Sequence, residues 1–200
     1  MFVLTVDQRD SRRDVDRVDD LLGMVEDAAV VRAFERTAGD EVQAVIADPA
    51  VAADLLVRLA TDGHWSVGVG VGAVATPLPA STRAGRGPAF EYAREAVERA
   101  KNERTRLAVT GADPTWTGHA QTAARLLVDL LDSRSAAGAE AVELVRSGRS
   151  QSDAAAILGI SPQAMSQRLR SARWDHEDAT RNLLTDLLER ADTMSTPESR

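Results

Sequence analysis

The stretch Ser150-Gln-Ser-Asp-Ala-Ala-Ala-Ile-Leu-Gly-Ile-Ser-Pro-Gln-Ala-Met-Ser-Gln-Arg-Leu-Arg170 reads as two short helices around a tight turn, and it decides the fold of the last third of the chain. Ser150 and Asp153 have capping-box spacing, a hydroxyl at the N-cap and a carboxylate three residues on. Gly159 stands where the first helix must end and a left-handed backbone is cheapest for glycine. Ser161-Pro162 restarts the chain as helix, because serine caps and proline lacks only an N–H that the first helical position leaves unpaired anyway. The pattern predicts a helix-turn-helix over 150–172, with the second helix ending near Arg173. Ala164, Met165 and Leu169 then turn inward and leave Gln163, Ser166, Gln167 and Arg170 on the outer face.

Those outer side chains suit double-stranded DNA as a partner. A glutamine can pair with the adenine edge and an arginine with the guanine edge, each at about 1–3 kcal/mol of discrimination. Arg146, Arg149, Arg168 and Arg173 are placed for phosphates, which set register and carry affinity without sequence information. The helix starts at Ser150, Gln151 and Ser161 complete the predicted DNA-contacting set. The formal charge of −7 argues against nucleic acid until its distribution is considered. Between Val145 and Trp174 the five arginines 146, 149, 168, 170 and 173 face the single acid Asp153, a local charge of +4. An otherwise acidic body repels DNA elsewhere and favours docking through this island. The stretch resembles the helix-turn-helix of sigma-factor region four and related bacterial regulators, which implies the same DNA-reading role.

Outward from the motif, Thr122–Leu131 and Ala136–Val145 read as supporting helices. Leu183, Leu184, Leu187 and Leu188 form a stripe on a terminal helix, either packed within the chain or forming the seam of a homodimer. A dimer suits a single reading module, since two-fold proteins read palindromic half-sites. The helical unit is expected over 118–193, with a disordered tail at 194–200.

The first 110 residues alternate strand and helix signals instead. Phe2–Val6 is a strand, the valines and leucines from Val15 to Val25 follow helical spacing, and Arg32–Asp48 alternates as a hairpin broken at Gly39-Asp40. Pro49–Leu59 reads as a helix, Trp65–Thr76 as a strand whose Gly68, Gly70 and Gly72 allow a helix or ligand to approach closely, and Gly87 opens a third helix before a last strand at Arg106–Thr110. The order is βαββαβ with one additional helical connection: an α+β fold, ferredoxin-like or palm-type, with helices on one face of the sheet. Gly111-Ala112-Asp113-Pro114 marks the boundary, so the first domain is expected over 1–113.

Asp7 at the end of the first strand and Asp40 in the hairpin turn are neighbours in a palm-type sheet and could share a magnesium ion with a nucleotide phosphate. They also read simply as a strand-end acid and a turn residue. The hairpin Phe34-Glu-Arg-Thr-Ala-Gly-Asp-Glu-Val42 resembles the Gly-Asp hairpin of class III nucleotidyl cyclases and the Gly-Gly-Asp-Glu-Phe signature of diguanylate cyclases, and Gly87–Arg94 resembles the following cyclase helix. The resemblance covers roughly residues 2–110 and implies that Asp7 and Asp40 stand at the two metal-binding aspartates. It departs where cyclases carry an asparagine and an arginine, since this chain offers Glu91 and Glu95, with Arg94 one position off. Val6-Asp7-Gln-Arg-Asp10-Ser11, the Gly-Asp-Glu hairpin and the helical tail together resemble the SatD family of small bacterial proteins. These resemblances imply a cyclase-like sensor or dimerisation domain joined to a DNA reader, with a nucleotide as a small-molecule effector. A nucleotidyl cyclase with a DNA-binding tail is the alternative.

Other chemistry has little support. No apolar run approaches the roughly 20 residues of a membrane span, no signal peptide opens the chain, and there is no cysteine, so a cytoplasmic protein is expected. His64, His119 and His176 are isolated, and Val67–Gly72 lacks the Lys-Ser/Thr end of a phosphate loop.

Overall fold

The computed structural model describes residues 1–11 and 13–195. Its elements are β1 (Phe2–Gln8), α1 (Val18–Met24), β2 (Arg32–Ala38), β3 (Glu41–Ile46), α2 (Pro49–Asp62), β4 (Trp65–Val71), α3 (Pro88–Ala100), β5 (Leu107–Gly111), α4 (Pro114–Asp132), α5 (Ala136–Arg146), α6 (Gln151–Ile157), α7 (Pro162–Ser171) and α8 (Trp174–Ser195), with a single 3-10 turn at Thr82–Ala84. The fold is α+β around a five-stranded mixed sheet of order β2-β3-β1-β4-β5. All neighbours are antiparallel except β4 and β5, which the α3 crossover makes parallel.

Side-chain alternation divides the sheet into two faces. Phe2, Leu4 and Val6 lie opposite Ile46, Ala44 and Val42 on one side and Val71, Val69 and Val67 on the other. This face is buried with Leu55, Leu56 and Leu59 of α2, Leu127 of α4 and Leu184 and Leu188 of α8. Each such aliphatic or aromatic side chain contributes about 1.5–3 kcal/mol on burial, so most of the apolar stabilisation lies in this core.

The opposite face is also covered by a helix, which corrects the expectation of helices on one face only. Val3, Thr5, Gly68, Gly70 and Ala108 look this way, and α3 lies directly on them through Ala89, Ala93 and Ala96. The glycines permit the approach: a Cβ on Gly70 would stand 2.0 Å from the Ala89 carbonyl oxygen, and one on Gly68 2.2 Å from the Val97 nitrogen. The segment 72–87 then crosses the β2–β3 side, where Arg32 donates to the carbonyls of Leu78 and Pro79 and Thr82 Oγ1 to that of Ala33. The strand expected to reach Thr76 therefore ends at Val71, where Gly72 N donates to the Met1 carbonyl and the sheet ladder stops.

The C-terminal helices pack in two groups. Asp113 caps α4 by accepting from Thr115 N and Trp116 N, with Pro114 at its first position, so the presumed linker is a helix start. Helices α4 and α8 share the apolar core of the sheet, whereas α5, α6 and α7 enclose a separate cluster of Ala141, Val142, Ala154, Ala155, Met165, Leu169 and Ala172. Of the leucine stripe, Leu184 and Leu188 are buried in the main core and Leu187 packs against it, leaving Leu183 exposed. Helix α8 runs to Ser195, two residues into the expected tail, whose residues 196–200 lie outside the described residues.

Gly70→Ala is expected to lower stability by about 3 kcal/mol or more, because α3 must move off the sheet. Gly72→Ala, whose Cβ meets its nearest atoms at 3.5 Å, is expected to cost far less. Urea midpoints of the two variants check the difference.

Candidate nucleic-acid interface

Helices α6 and α7 form as their caps dictate. Asp153 N donates to Ser150 Oγ at 3.1 Å, and the serine hydroxyl returns the contact to Asp153 Oδ2 at 2.7 Å, so the carboxylate meets the hydroxyl rather than the backbone N–H of a full capping box. Ala164 N donates to Ser161 Oγ at 3.2 Å. Between them Gly159 has φ +63° and its N–H bonds the Ala156 carbonyl, while Ile160 N reaches back to Ala155 O. These paired bonds close the turn through the left-handed conformation.

Buried Met165 and Leu169 lock the inner side of α7 against α5 and α6. The outer side carries Gln163, Gln167 and Arg170 at helical i, i+4, i+7 spacing, all exposed, with Ser166 half-buried beside them. Arg170 Nη1 donates to Ser166 Oγ at 3.0 Å, so two of the predicted readers hold each other. Exposed Arg149, Ser150 and Gln151 open α6, and Ser161 opens α7.

The arginines predicted for phosphates divide into two groups. Arg149 and Arg173 are exposed. Arg173 occupies the α7–α8 turn at φ +51°, a conformation that costs a side-chain-bearing residue about 1–2 kcal/mol. Arg168 lies 3.7 Å from Glu140, an exposed pair of small energetic weight. Arg146 stays exposed but is tied to α8: its Nη2 donates to Glu177 Oε1 at 2.7 Å and its guanidinium lies 5.5 Å from the Trp174 ring centroid.

Glu177 is a residue that sequence reading missed. It is 1% exposed, and its Oε1 also accepts from Arg181 Nε at 3.0 Å, while Arg134 Nη2 stands 2.8 Å from its Oε2 without hydrogen-bond alignment. Arg134 in turn donates from Nε to the Ala172 carbonyl at 2.9 Å. One carboxylate on α8 thus joins the end of α4, the end of α5 and the turn after α7. Burial alone would raise its pKa, but contacts from Arg134 and Arg181 and the charge of Arg146 outweigh it and hold the carboxyl below the usual glutamate range. The only trace in the sequence is the Glu177–Arg181 spacing, which is also that of an ordinary surface pair.

In the sheet, Asp7 lies opposite Glu41 and Ser66, and its Oδ2 is 3.3 Å from Lys101 Nζ. Burial raises the Asp7 pKa; Lys101 opposes this, and the charges of Asp40 and Glu41 add to it. The residues do not assemble a divalent-ion cradle: among the described residues no three acidic or histidine side chains converge, and the Asp7 carboxylate already has an ammonium in contact. Glu95 lies 3.9 Å from Arg99, whose guanidinium is held by Thr110 and Gln121. Searches against protein-family models, curated proteins and solved structures find no match to this chain.

Two outcomes follow from these charges. Glu177→Ala leaves three guanidiniums around an empty centre, and a loss of about 3–5 kcal/mol is expected in chemical denaturation. Because the folded pKa of Glu177 is lowered, its contribution is present above the ordinary glutamate pKa and fades as pH falls through the folded value, so the wild-type advantage over Glu177→Gln should shrink in acid. Asp7 has the opposite sign: with its folded pKa raised, ionisation costs stability as pH rises. Asp7→Asn should be the more stable protein at pH 7, with the gap closing as pH falls through the carboxylate range. Thermal melts across pH check both.

Proposed function

We propose that this chain is a sequence-specific DNA-binding transcriptional regulator in which α6 and α7 form the helix-turn-helix and α7 enters the major groove. The observation that carries the reading is the exposed stripe of Gln163, Gln167 and Arg170 on a helix whose other side is locked by Met165 and Leu169. Such side chains, held on a rigid element, are the means by which base edges are read. Arg149, Arg168 and Arg173, with the helix starts at Ser150, Gln151 and Ser161, serve the phosphates in this reading. The strand order β2-β3-β1-β4 supports the ferredoxin-like reading of the sheet, extended by β5. The same reading treats the domain as a cyclase-like relative that senses a small molecule or dimerises, and the whole chain as SatD-like, cytoplasmic and homodimeric.

The alternative, a nucleotidyl cyclase, rests on Asp7 at the end of β1 and Asp40 in the β2–β3 turn, the positions of the metal-binding aspartates in the cyclases that this hairpin resembles. Against it, Lys101 contacts Asp7, and Glu91 and Glu95 replace the transition-state side chains of the cyclases it resembles, so that two acids would repel a polyphosphate. Cyclic product from ATP or GTP with magnesium or manganese, abolished by Asp40→Asn, would establish it over the regulator reading.

Fluorescence anisotropy with genomic fragments at several salt concentrations tests the regulator. At least one fragment should bind well above bulk DNA. Arg170→Ala should relax discrimination at one base position by about 1–3 kcal/mol, and Arg173→Ala should weaken all sequences alike and lower the salt slope by about one. Binding that never exceeds bulk DNA, or an Arg168→Ala, Arg170→Ala double variant with unchanged affinity, would falsify the proposal.

A further inference from the structure

A cleft of about 700 Å³ opens beside the Glu177 hub, between α2 of the sheet core and α5 and α8. Its volume falls in the range of small-molecule sites. Four guanidiniums line it, those of Arg58, Arg134, Arg146 and Arg181, against the carboxylates of Asp54, Glu177 and Asp178.

The acceptors and donors of this lining are unequally used. Glu177 already faces three arginines, and Asp54 Oδ1 accepts from Arg181 Nη1 at 3.4 Å. Each guanidinium, by contrast, carries five N–H donors and no acceptor. Arg58 is exposed on α2, and among the described residues its side chain has neither a hydrogen bond nor an ion pair. Across the cleft Arg146 is held by Glu177, by a long 3.5 Å bond to Glu143 and by the Trp174 ring, and Arg181 by Glu177 and Asp54, each with donors left over. The buried Arg134 Nη2 also has no aligned acceptor, although its burial keeps it as a wall of the site. Asp178 is the lining's one carboxylate without a cation partner among the described residues, so four guanidiniums face three carboxylates and the cleft keeps a formal excess of one positive charge.

We propose that the cleft binds a small anion, a phosphate- or carboxylate-bearing metabolite, held by Arg58 from one wall and by Arg146 and Arg181 from the other. A planar guanidinium matches both groups in bidentate fashion. The bound anion bridges α2, which belongs to the sheet core, to α5, which belongs to the α5–α7 cluster, and so restrains the orientation of α7 relative to the rest of the chain. The effector role rests on the DNA-binding reading; the binding site does not.

Calorimetric and thermal-shift titrations of the full chain with inorganic phosphate and, separately, with succinate test the site, at ionic strength held constant with sodium chloride. One-site saturable binding of at least one probe is expected, and the arm that saturates at lower concentration identifies the chemistry preferred. Arg58→Gln should weaken it tenfold or more with no change in the ligand-free melting temperature, while Arg36→Gln, remote from the cleft, should bind as wild type. Absence of saturable binding in both arms, or equal binding by Arg58→Gln, overturns the site. On the same samples, DNA affinity shifted by the probe in wild type but not in Arg58→Gln supports the effector role. DNA affinity that ignores a probe bound at saturation overturns that role alone, and failure to bind any DNA overturns the regulator reading while the calorimetry still reports on the cleft.

Discussion

A single buried carboxylate determines how the two parts of this protein are held together. The α5–α7 cluster spans 36 residues and is built mainly from alanines, with Met165 and Leu169 as its only long buried side chains. Segments below about 40 residues seldom bury enough apolar surface to stand alone. The cluster therefore depends on its attachment, and Glu177 provides it by drawing Arg134, Arg146 and Arg181 to one point. Such a hub is sensitive to loss of the carboxylate, because the buried Arg134 then loses its compensating charge, while Arg146 and Arg181 remain partly in water. The same property makes it a place where a change in charge can alter the relation between the two parts.

The sheet core is organised by an opposite means, close apolar contact without charge. Gly68 and Gly70 bring the α3 backbone almost onto β4, so one face of the sheet is closed by an alanine-rich helix and the other by the long side chains of α2, α4 and α8. At the rim of this tightly closed face, Asp7 is half-buried beside Asp40 and Glu41, and Lys101 at the end of α3 meets it. Packing of α3 thus delivers the lysine that neutralises an otherwise unfavourable acid.

Several features were legible in the sequence because their causes are local. The Ser150 and Ser161 caps, the left-handed Gly159 and the inward Met165 and Leu169 all follow from preferences acting over three or four residues. The hairpin turned at Gly39 for the same reason. The glycine alternation of β4 announced a close approach by a helix or a ligand, and helix α3 makes it. Asp113-Pro114 misled, since the residues that suggest a break are also those that cap and start a helix.

By itself, then, the sequence determined most of the elements, the Ser150 and Ser161 caps and the outward face of α7, because each is encoded by neighbours in the chain. Which elements share a core, that α4 and α8 join the sheet while α5–α7 stand apart, was decided only by tertiary packing. The fate of the arginines was decided there too. Arg146, Arg149 and Arg173 belong to the same basic run, yet Arg146 is tied to α8 because a carboxylate 31 positions later is buried within 2.7 Å of it, a proximity no local pattern records.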